Sequence, residues 1–180
     1  TGTYNVYMGG NAGDESTTGS HNVGIGADAI GGVSTASDNT AVGSSALYSI
    51  TSGTVNVAIG RNAGDSLTSG SFNVAIGKSA LATEDAHGRN VAIGYAALEN
   101  QNAGADAYNV AIGFNAGTDV TDGIENTLIG GNAADGLTTA KECTLIGAYT
   151  AAGQVVTGNQ NTSLGRYTLY NLTDGVGNTA

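Results

Sequence analysis

The side chains in this sequence that could carry chemistry are carboxylates, two histidines and a single cysteine. Paired carboxylates stand at Asp14–Glu15 and Glu84–Asp85, and such pairs can be calcium ligands or an acid/base pair. His21 and His87 lie far apart in the sequence, and two isolated histidines do not make a metal site. Neither histidine is placed to act as a base for Cys143, so a catalytic thiol is not expected.

The chain is strongly acidic, with 15 acidic and 5 basic residues and a net charge of −10. The acidic residues recur at no fixed spacing, so we interpret them as a solvated edge of the fold. Most lie in variable stretches, at Asp14, Glu15, Asp65, Glu84, Asp85, Glu99, Asp119, Asp122 and Asp135. The acidity disfavours a nucleic-acid partner, and no apolar run approaches the ~20 residues of a membrane-spanning helix.

Catalytic motifs are missing from the sequence. It contains neither the nucleophile motif G-x-S-x-G nor the phosphate-binding G-x-x-x-x-G-K-S/T. The glycine-rich calcium nonapeptide is missing as well. The sequence therefore predicts a non-enzymatic protein without catalytic, cofactor-binding or metal-ligating residues and without a cofactor.

A repeat organises the whole chain. The string N-V-A-I-G begins at positions 56, 73, 90 and 109, and looser versions begin at 5, 22, 39, 126, 143, 161 and 178. The spacing is 17 residues, except for one step of 19 and one of 18, which we interpret as loop insertions. Residues 1–180 therefore form a single repeat domain, and both ends fall inside a repeat. We expect a segment of a longer fibre.

The repeat is too short for a helical hairpin, and it carries two β-compatible stretches separated by a glycine of constant position. Such a glycine indicates a positive φ angle or a close backbone approach. The sequence predicts an all-β fold, a parallel β-solenoid (β-roll) of about ten 17-residue turns. Its strands would stack ~4.8 Å apart.

Positions within the repeat form columns along the rod, numbered here from the asparagine. The first position predicts an amide ladder that hydrogen-bonds the turns, formed by Asn5, Asn22, Asn39, Asn56, Asn73, Asn90, Asn109, Asn126, Asn161 and Asn178. Cys143 replaces one rung as a small buried side chain. The fourth position is bulky and faces a column of small residues at the eighth, which predicts a core column of Ile25, Ile59, Ile76, Ile93, Ile112, Ile129 and Ile146.

Both faces of the first strand are apolar, although a single coil has only one interior. The second face needs a cover, and we expect another copy of the same chain to supply it. The sixth and seventeenth positions vary most and carry aromatic and basic residues, with Tyr95 and Phe114 at the sixth and Phe72 and Tyr108 at the seventeenth. These are the candidate surface-binding residues, either a glycan-binding strip or contacts between chains.

The motif N-V-A-I-G-x-N/S-A-G/L, followed by T-x-G-S-x-N, resembles the head repeats of trimeric autotransporter adhesins. It is more similar to repeats of phage and bacterial tail-fibre proteins, because adhesin heads usually have a shorter repeat. The resemblance covers essentially all of residues 1–180. It implies a left-handed homotrimeric β-roll, located extracellularly on a virion fibre or a cell surface, that acts as a structural and adhesive segment. Its partners would be copies of itself, including end-to-end stacking, and a host cell-surface glycan or protein.

Two alternatives stay open at this point. The first is a self-assembling extracellular filament subunit, because open strand edges at the ends of the rod invite pairing. The second is a monomeric surface binder of the ice-binding kind, although the threonine column at the thirteenth position is interrupted.

Overall fold

The computed structural model describes residues 2–32 and 34–180, and every strand in these ranges belongs to one ten-stranded parallel sheet. Each strand is three residues long and starts directly after the first-position residue. The strands are β1 (Val6–Met8), β2 (Val23–Ile25), β3 (Thr40–Val42), β4 (Val57–Ile59), β5 (Val74–Ile76), β6 (Val91–Ile93), β7 (Val110–Ile112), β8 (Thr127–Ile129), β9 (Thr144–Ile146) and β10 (Thr162–Leu164). The chain is an all-β parallel solenoid, as predicted.

Consecutive strands are neighbours in the sheet, and equivalent repeat positions lie side by side. Val57 pairs with Val74, for example, and Ile59 with Ile76. The register is unchanged across the two longer repeats, where Val91 pairs with Val110 and Thr144 pairs with Thr162. The extra residues are therefore accommodated outside the strands, as expected for loop insertions.

The fifth-position glycine ends each strand and meets both conditions that the sequence indicated. Its φ angle lies between 131° and 145° in all ten repeats, a region that L side chains rarely adopt. A Cβ atom on Gly130 would also lie 2.6 Å from the carbonyl group of Gly147 in the next turn. A side chain is excluded by conformation and by space at once.

The second β-compatible stretch is not a strand, and in this respect the sequence interpretation was wrong. Residues at the seventh and ninth positions have positive φ, as in Asn62 (57°) and Gly64 (58°), which breaks an extended conformation. The stretch is a series of turns whose N–H groups still bond to neighbouring coils. Asn62 donates to Ser44 O of the preceding turn at 3.0 Å, and Gly64 donates to Ala80 O of the following turn at 3.0 Å.

The asparagine column forms a hydrogen-bonded ladder inside the coil, interrupted at Cys143. Oδ1 of Asn56 accepts the backbone N–H of Asn73 at 2.9 Å, and its Nδ2 donates to the carbonyl of Gly70 at 2.9 Å. Equivalent bonds recur along most of the column. At Cys143 the backbone N–H still donates to Asn126 Oδ1 at 2.9 Å, so the substitution removes the amide but keeps the incoming bond.

The core is thin and comes from the third, eighth, ninth and twelfth positions. The eighth position is alanine in the first eight repeats, fully buried from Ala29 to Ala133, and threonine in the last two. The twelfth position supplies Ile50, Leu67, Val120 and Leu137, which are also fully buried. The inward residue of each strand is its middle residue, at the third repeat position, such as Ala75 or Leu145. Because alternate residues of a strand point to opposite sides, the second and fourth positions point outward.

The third and ninth positions fill the core in a compensating way. Ala41 is followed by Leu47 and Ala92 by Leu98, whereas Leu128 is followed by Ala134 and Leu145 by Ala151, and all eight are buried. Tyr7 is followed by Gly13, where a Cβ atom would lie 2.5 Å from the Tyr7 ring.

Two repeats are exceptions, because both positions are small at Ala58 with Gly64 and at Ala111 with Gly117. There the space is filled from neighbouring turns: a Cβ atom on Gly64 would lie 2.9 Å from Leu47, and one on Gly117 would lie 2.6 Å from Leu128. A coil of constant cross-section thus keeps its core filled either within one turn or from the next.

The predicted core column is wrong. Ile25, Ile59, Ile76, Ile93, Ile112, Ile129 and Ile146 lie outside the core and are all partly exposed, with exposed fractions of 39 % at Ile59 and 37 % at Ile112. The fourth position has the bulk of a core residue, but the strand pleat turns the third position inward. The small alanines there suffice because leucines of the same turn or of a neighbouring turn fill the remaining space.

Gly130→Ala should destabilise the solenoid by about 3 kcal/mol, since the new Cβ combines a strained φ with a backbone overlap. The neighbouring Gly131→Ala is the matched control, because a Cβ there meets no described atom within 4 Å. Denaturant unfolding followed by circular dichroism measures both. Equal midpoints would contradict the close-approach explanation.

Asn56→Ala should lower the free energy of unfolding by about 2–4 kcal/mol, because it leaves the Asn73 N–H and the Gly70 carbonyl buried without their amide partner. The control is Asn102→Ala at an exposed position, where a change within about 0.5 kcal/mol is expected. A loss at Asn56 no larger than at Asn102 would show that the ladder does not hold the turns together.

Candidate interaction surface

The outward face of the sheet is an apolar strip, defined here as the second and fourth positions of β1–β10. It consists of valine, threonine, isoleucine, methionine and leucine, with no charged residue in the ten strands. Exposure is greatest in the first and last strands, at 64 % for Met8 and 73 % for Leu164, and is 39 % and 37 % at Ile59 and Ile112 in the central turns. Contiguous exposed apolar surface of this kind commonly marks an interaction site.

The sixth-position column borders the apolar strip, and its aromatic rings stack along the rod. The rings of Tyr95 and Phe114 lie 5.1 Å apart at an interplanar angle of 11°. Lys78, on the preceding turn, places its Nζ 5.4 Å from the centroid of the Tyr95 ring. Stacking occupies the ring faces that point along the rod, so this column presents ring edges to the outside.

The seventeenth-position column borders the strip on the other side and is held by a cation. The guanidinium of Arg89 lies 5.2 Å from the ring centroid of Phe72 and 5.5 Å from that of Tyr108. Its Nε also donates to Asp106 Oδ2 at 2.8 Å. This hydrogen bond holds the pKa of the Asp106 carboxyl below its ordinary value and raises that of Arg89.

The structure therefore brings the four predicted surface residues into two pairs rather than one cluster. Phe72 and Tyr108 flank Arg89, whereas Tyr95 stacks directly on Phe114. The sequence analysis expected basic residues in these columns but missed the bridging role of Arg89 and its partner Asp106. The available signal was the alternation of aromatic, basic and aromatic residues at one repeat position in three consecutive turns.

The remaining candidate residues are His21, which belongs to the seventeenth-position column near the first turn, and Cys143, which belongs to the asparagine column. His21 stacks on Tyr4 with ring centroids 5.2 Å apart, and its Nδ1 lies 3.7 Å from Asp38 in an exposed pair. Cys143 is buried, its thiol donates to the carbonyls of Lys141 and Gly158, and burial raises its pKa. A raised pKa disfavours the thiolate that nucleophilic chemistry needs.

An open groove of about 350 Å³ lies near the second insertion, between Asp119, Asp135 and residues 152–155. Partial burial raises the pKa of Asp119, and the neighbouring charge of Asp135 adds to the effect. The remaining lining is Gly136, Ala152, Gly153, Gln154 and Val155. The groove therefore offers two carboxylates and one side-chain amide.

The threonines of the thirteenth position use their hydroxyls within the coil. Oγ1 of Thr51 donates to Thr68 O at 3.0 Å, and Oγ1 of Thr68 donates to Asp85 O at 2.8 Å. These side chains therefore continue the hydrogen bonding between turns along a second edge of the rod.

Fold and surface together define a β-solenoid repeat protein with one apolar face. The sequence matches no protein-family model, and comparisons with curated proteins and with solved structures likewise gave no match. Across residues 2–32 and 34–180, no helix has the length and apolar character that crossing a membrane would require.

Arg89→Gln should return the pKa of Asp106 towards its ordinary value of 3.8, because the charged donor is lost. Since folding lowers this pKa, the contribution of Asp106 to stability is present above the ordinary value and disappears as pH falls through the lowered one. Carboxyl NMR titration of Asp106 measures the change. Identical titration curves in both proteins would contradict the assigned pairing.

Proposed function

We propose that the chain is a non-enzymatic structural and adhesive segment of an extracellular fibre, built as a homotrimer. The observation that carries this proposal is the apolar strip, which runs along all ten strands of a sheet whose other face already covers the core. A strip of this length without a charged residue is unusual on an isolated solenoid, since exposed strands normally carry polar or charged side chains.

The proposed occupant of the strip is a second and a third copy of the same chain. Identical chains would match such a strip turn by turn, because each turn presents a valine or threonine and a larger apolar residue at equivalent positions. The two bordering columns, with Tyr95 and Phe114 on one side and Phe72 and Tyr108 on the other, would lie at the rim of this contact. The resemblance to trimeric adhesin heads and tail-fibre repeats supports three copies and a left-handed coil.

Adhesion in this proposal is geometric rather than chemical. The ladder and the glycine column make the rod stiff, so binding groups repeated along it keep a constant spacing. Weak contacts of three parallel chains with a cell-surface glycan or protein would then combine into avidity. The assignment to a virion fibre or a cell surface follows from the resemblance, and the acidic exterior is compatible with either.

Light scattering on a sizing column should give a species of about three times 17.6 kDa for the purified chain. Ile59→Lys and Ile112→Lys combined should reduce the mass to that of one chain, because the new charges would be buried in the interface. Both side chains are exposed in the single coil, so circular dichroism should stay unchanged.

The matched control is Ser52→Lys, an exposed position away from the strip that should leave the trimer intact. A wild-type monomer or dimer would contradict the trimer. An open-ended size distribution would point instead to the filament alternative.

A further inference from the structure

The twelfth-position column changes character in the middle of the rod. Its residues are apolar and fully buried at Ile50, Leu67, Val120 and Leu137, but the two intervening turns carry Glu84 and Gln101, which are also fully buried. Polar residues in this column lie within the core, so each of their polar atoms needs a partner.

Both polar atoms of the Gln101 side chain have hydrogen-bond partners, whereas only one of the two carboxylate oxygens of Glu84 has one. Oε1 of Gln101 accepts from Asn109 Nδ2 at 2.7 Å, and its Nε2 donates to Thr121 O at 3.0 Å. Oε1 of Glu84 accepts the backbone N–H of His87 at 3.1 Å. Its Oε2 is buried without a hydrogen-bond partner in the described part of the chain, and so is the nearby His87 Nδ1.

Glu84 and His87 thus each keep a buried polar atom without a partner among the described residues, and so does the ladder amide Asn90 at Nδ2. His87 Nδ1 is 3.6 Å from Glu84 Oε1, too far for a good hydrogen bond. Burial raises the pKa of Glu84, which reflects the cost of placing this carboxylate in the core. Asp85 adds a second carboxylate from the exposed side. The possible metal-ligand atoms of Glu84, Asp85 and His87 lie within 4.8 Å of one another.

The backbone around these residues is held by both neighbouring coils. Thr68 donates its N–H to Asp85 O, and Thr83 donates its N–H to Glu99 O at 3.1 Å. The carbonyl of His87 accepts from Asn73 Nδ2 at 3.3 Å. The three donor groups thus project from a positioned segment rather than from a free loop.

We propose that Glu84, Asp85 and His87 form a binding site for a divalent transition-metal cation such as Zn²⁺. An imidazole nitrogen and two carboxylate oxygens suit Zn²⁺, whose bonds of about 2.0–2.2 Å place neighbouring ligand atoms about 3.4 Å apart. The separation of 3.6 Å between His87 Nδ1 and Glu84 Oε1 is close to this value, and the Asp85 carboxylate, within 4.8 Å of both, would move closer on binding. Three protein ligands leave a fourth position for water or for a group from a partner.

The ligand set also selects against hard cations. Ca²⁺ takes about 6–8 oxygen ligands, and Mg²⁺ binds oxygen in octahedral geometry. The cluster offers only two carboxylates beside the imidazole. The metal would compensate the buried charge of Glu84 and would fasten the variable segment to the core, a role independent of the trimer.

The test is calorimetric titration of the chelator-treated full chain with ZnCl₂ and, separately, with CaCl₂. We expect saturable binding of one Zn²⁺ per chain and binding of Ca²⁺ at least about tenfold weaker. Glu84→Gln and His87→Ala should each weaken Zn²⁺ binding by at least about tenfold. Glutamine is a sound replacement, because Gln101 already occupies the same column of the next turn.

His21→Ala is the matched control, since His21 also lies beside a carboxylate but is exposed, and should leave Zn²⁺ binding unchanged. A second readout uses the only two histidines of the chain: Zn²⁺ should shift the imidazole NMR signals of His87 and leave those of His21 in place. Absence of saturable Zn²⁺ binding, equal binding by Glu84→Gln, or a shift confined to His21 would overturn the proposal.

Discussion

The stacking of successive turns at the spacing of a parallel sheet constrains everything else in this molecule. Each coil must follow the same backbone path as its neighbours, and at the fifth position the backbones approach so closely that a Cβ atom has no room. The asparagine ladder holds the turns at this spacing from inside the coil, since each amide bonds to the backbone of the next turn and of its own corner. Extra residues are therefore accommodated only between strands, as in the two longer repeats, and never within a strand.

A coil with one strand and a series of turns encloses very little volume. Four positions per repeat face inward, and their sizes are coupled, as the exchange of alanine and leucine between the third and ninth positions shows. Stability in such a rod comes mainly from contacts between adjacent turns. The same geometry leaves the second and fourth positions on the outside, where valine and isoleucine form a strip that a single chain cannot bury. The proposed trimer follows from this surplus of apolar surface.

The turns that depart from the repeat pattern are those that carry charged and polar side chains with specific local contacts. Arg89 inserts a cation between Phe72 and Tyr108 and is itself held by Asp106, which lies in the longer repeat. Glu84 places a carboxylate in a column that is apolar at Ile50, Leu67, Val120 and Leu137. It lies next to a histidine whose Nδ1 also lacks a partner among the described residues. In a solenoid each turn affects mainly its neighbours. Such local chemistry can be added without disturbing the rest of the rod.

The sequence by itself determined the period, the parallel solenoid, the glycine corner and the column of asparagines, because each depends on residues that recur at constant spacing. It did not determine which face of the strand is the interior. Valine, alanine and isoleucine follow one another there, and size suggested the isoleucines, whereas the pleat and the leucines of the ninth position place the alanines inside. Nor could periodicity show that Asn62 and Gly64 share a left-handed conformation, or that Glu84 meets His87 in the core. These features arise from contacts between turns, which only the tertiary structure brings together.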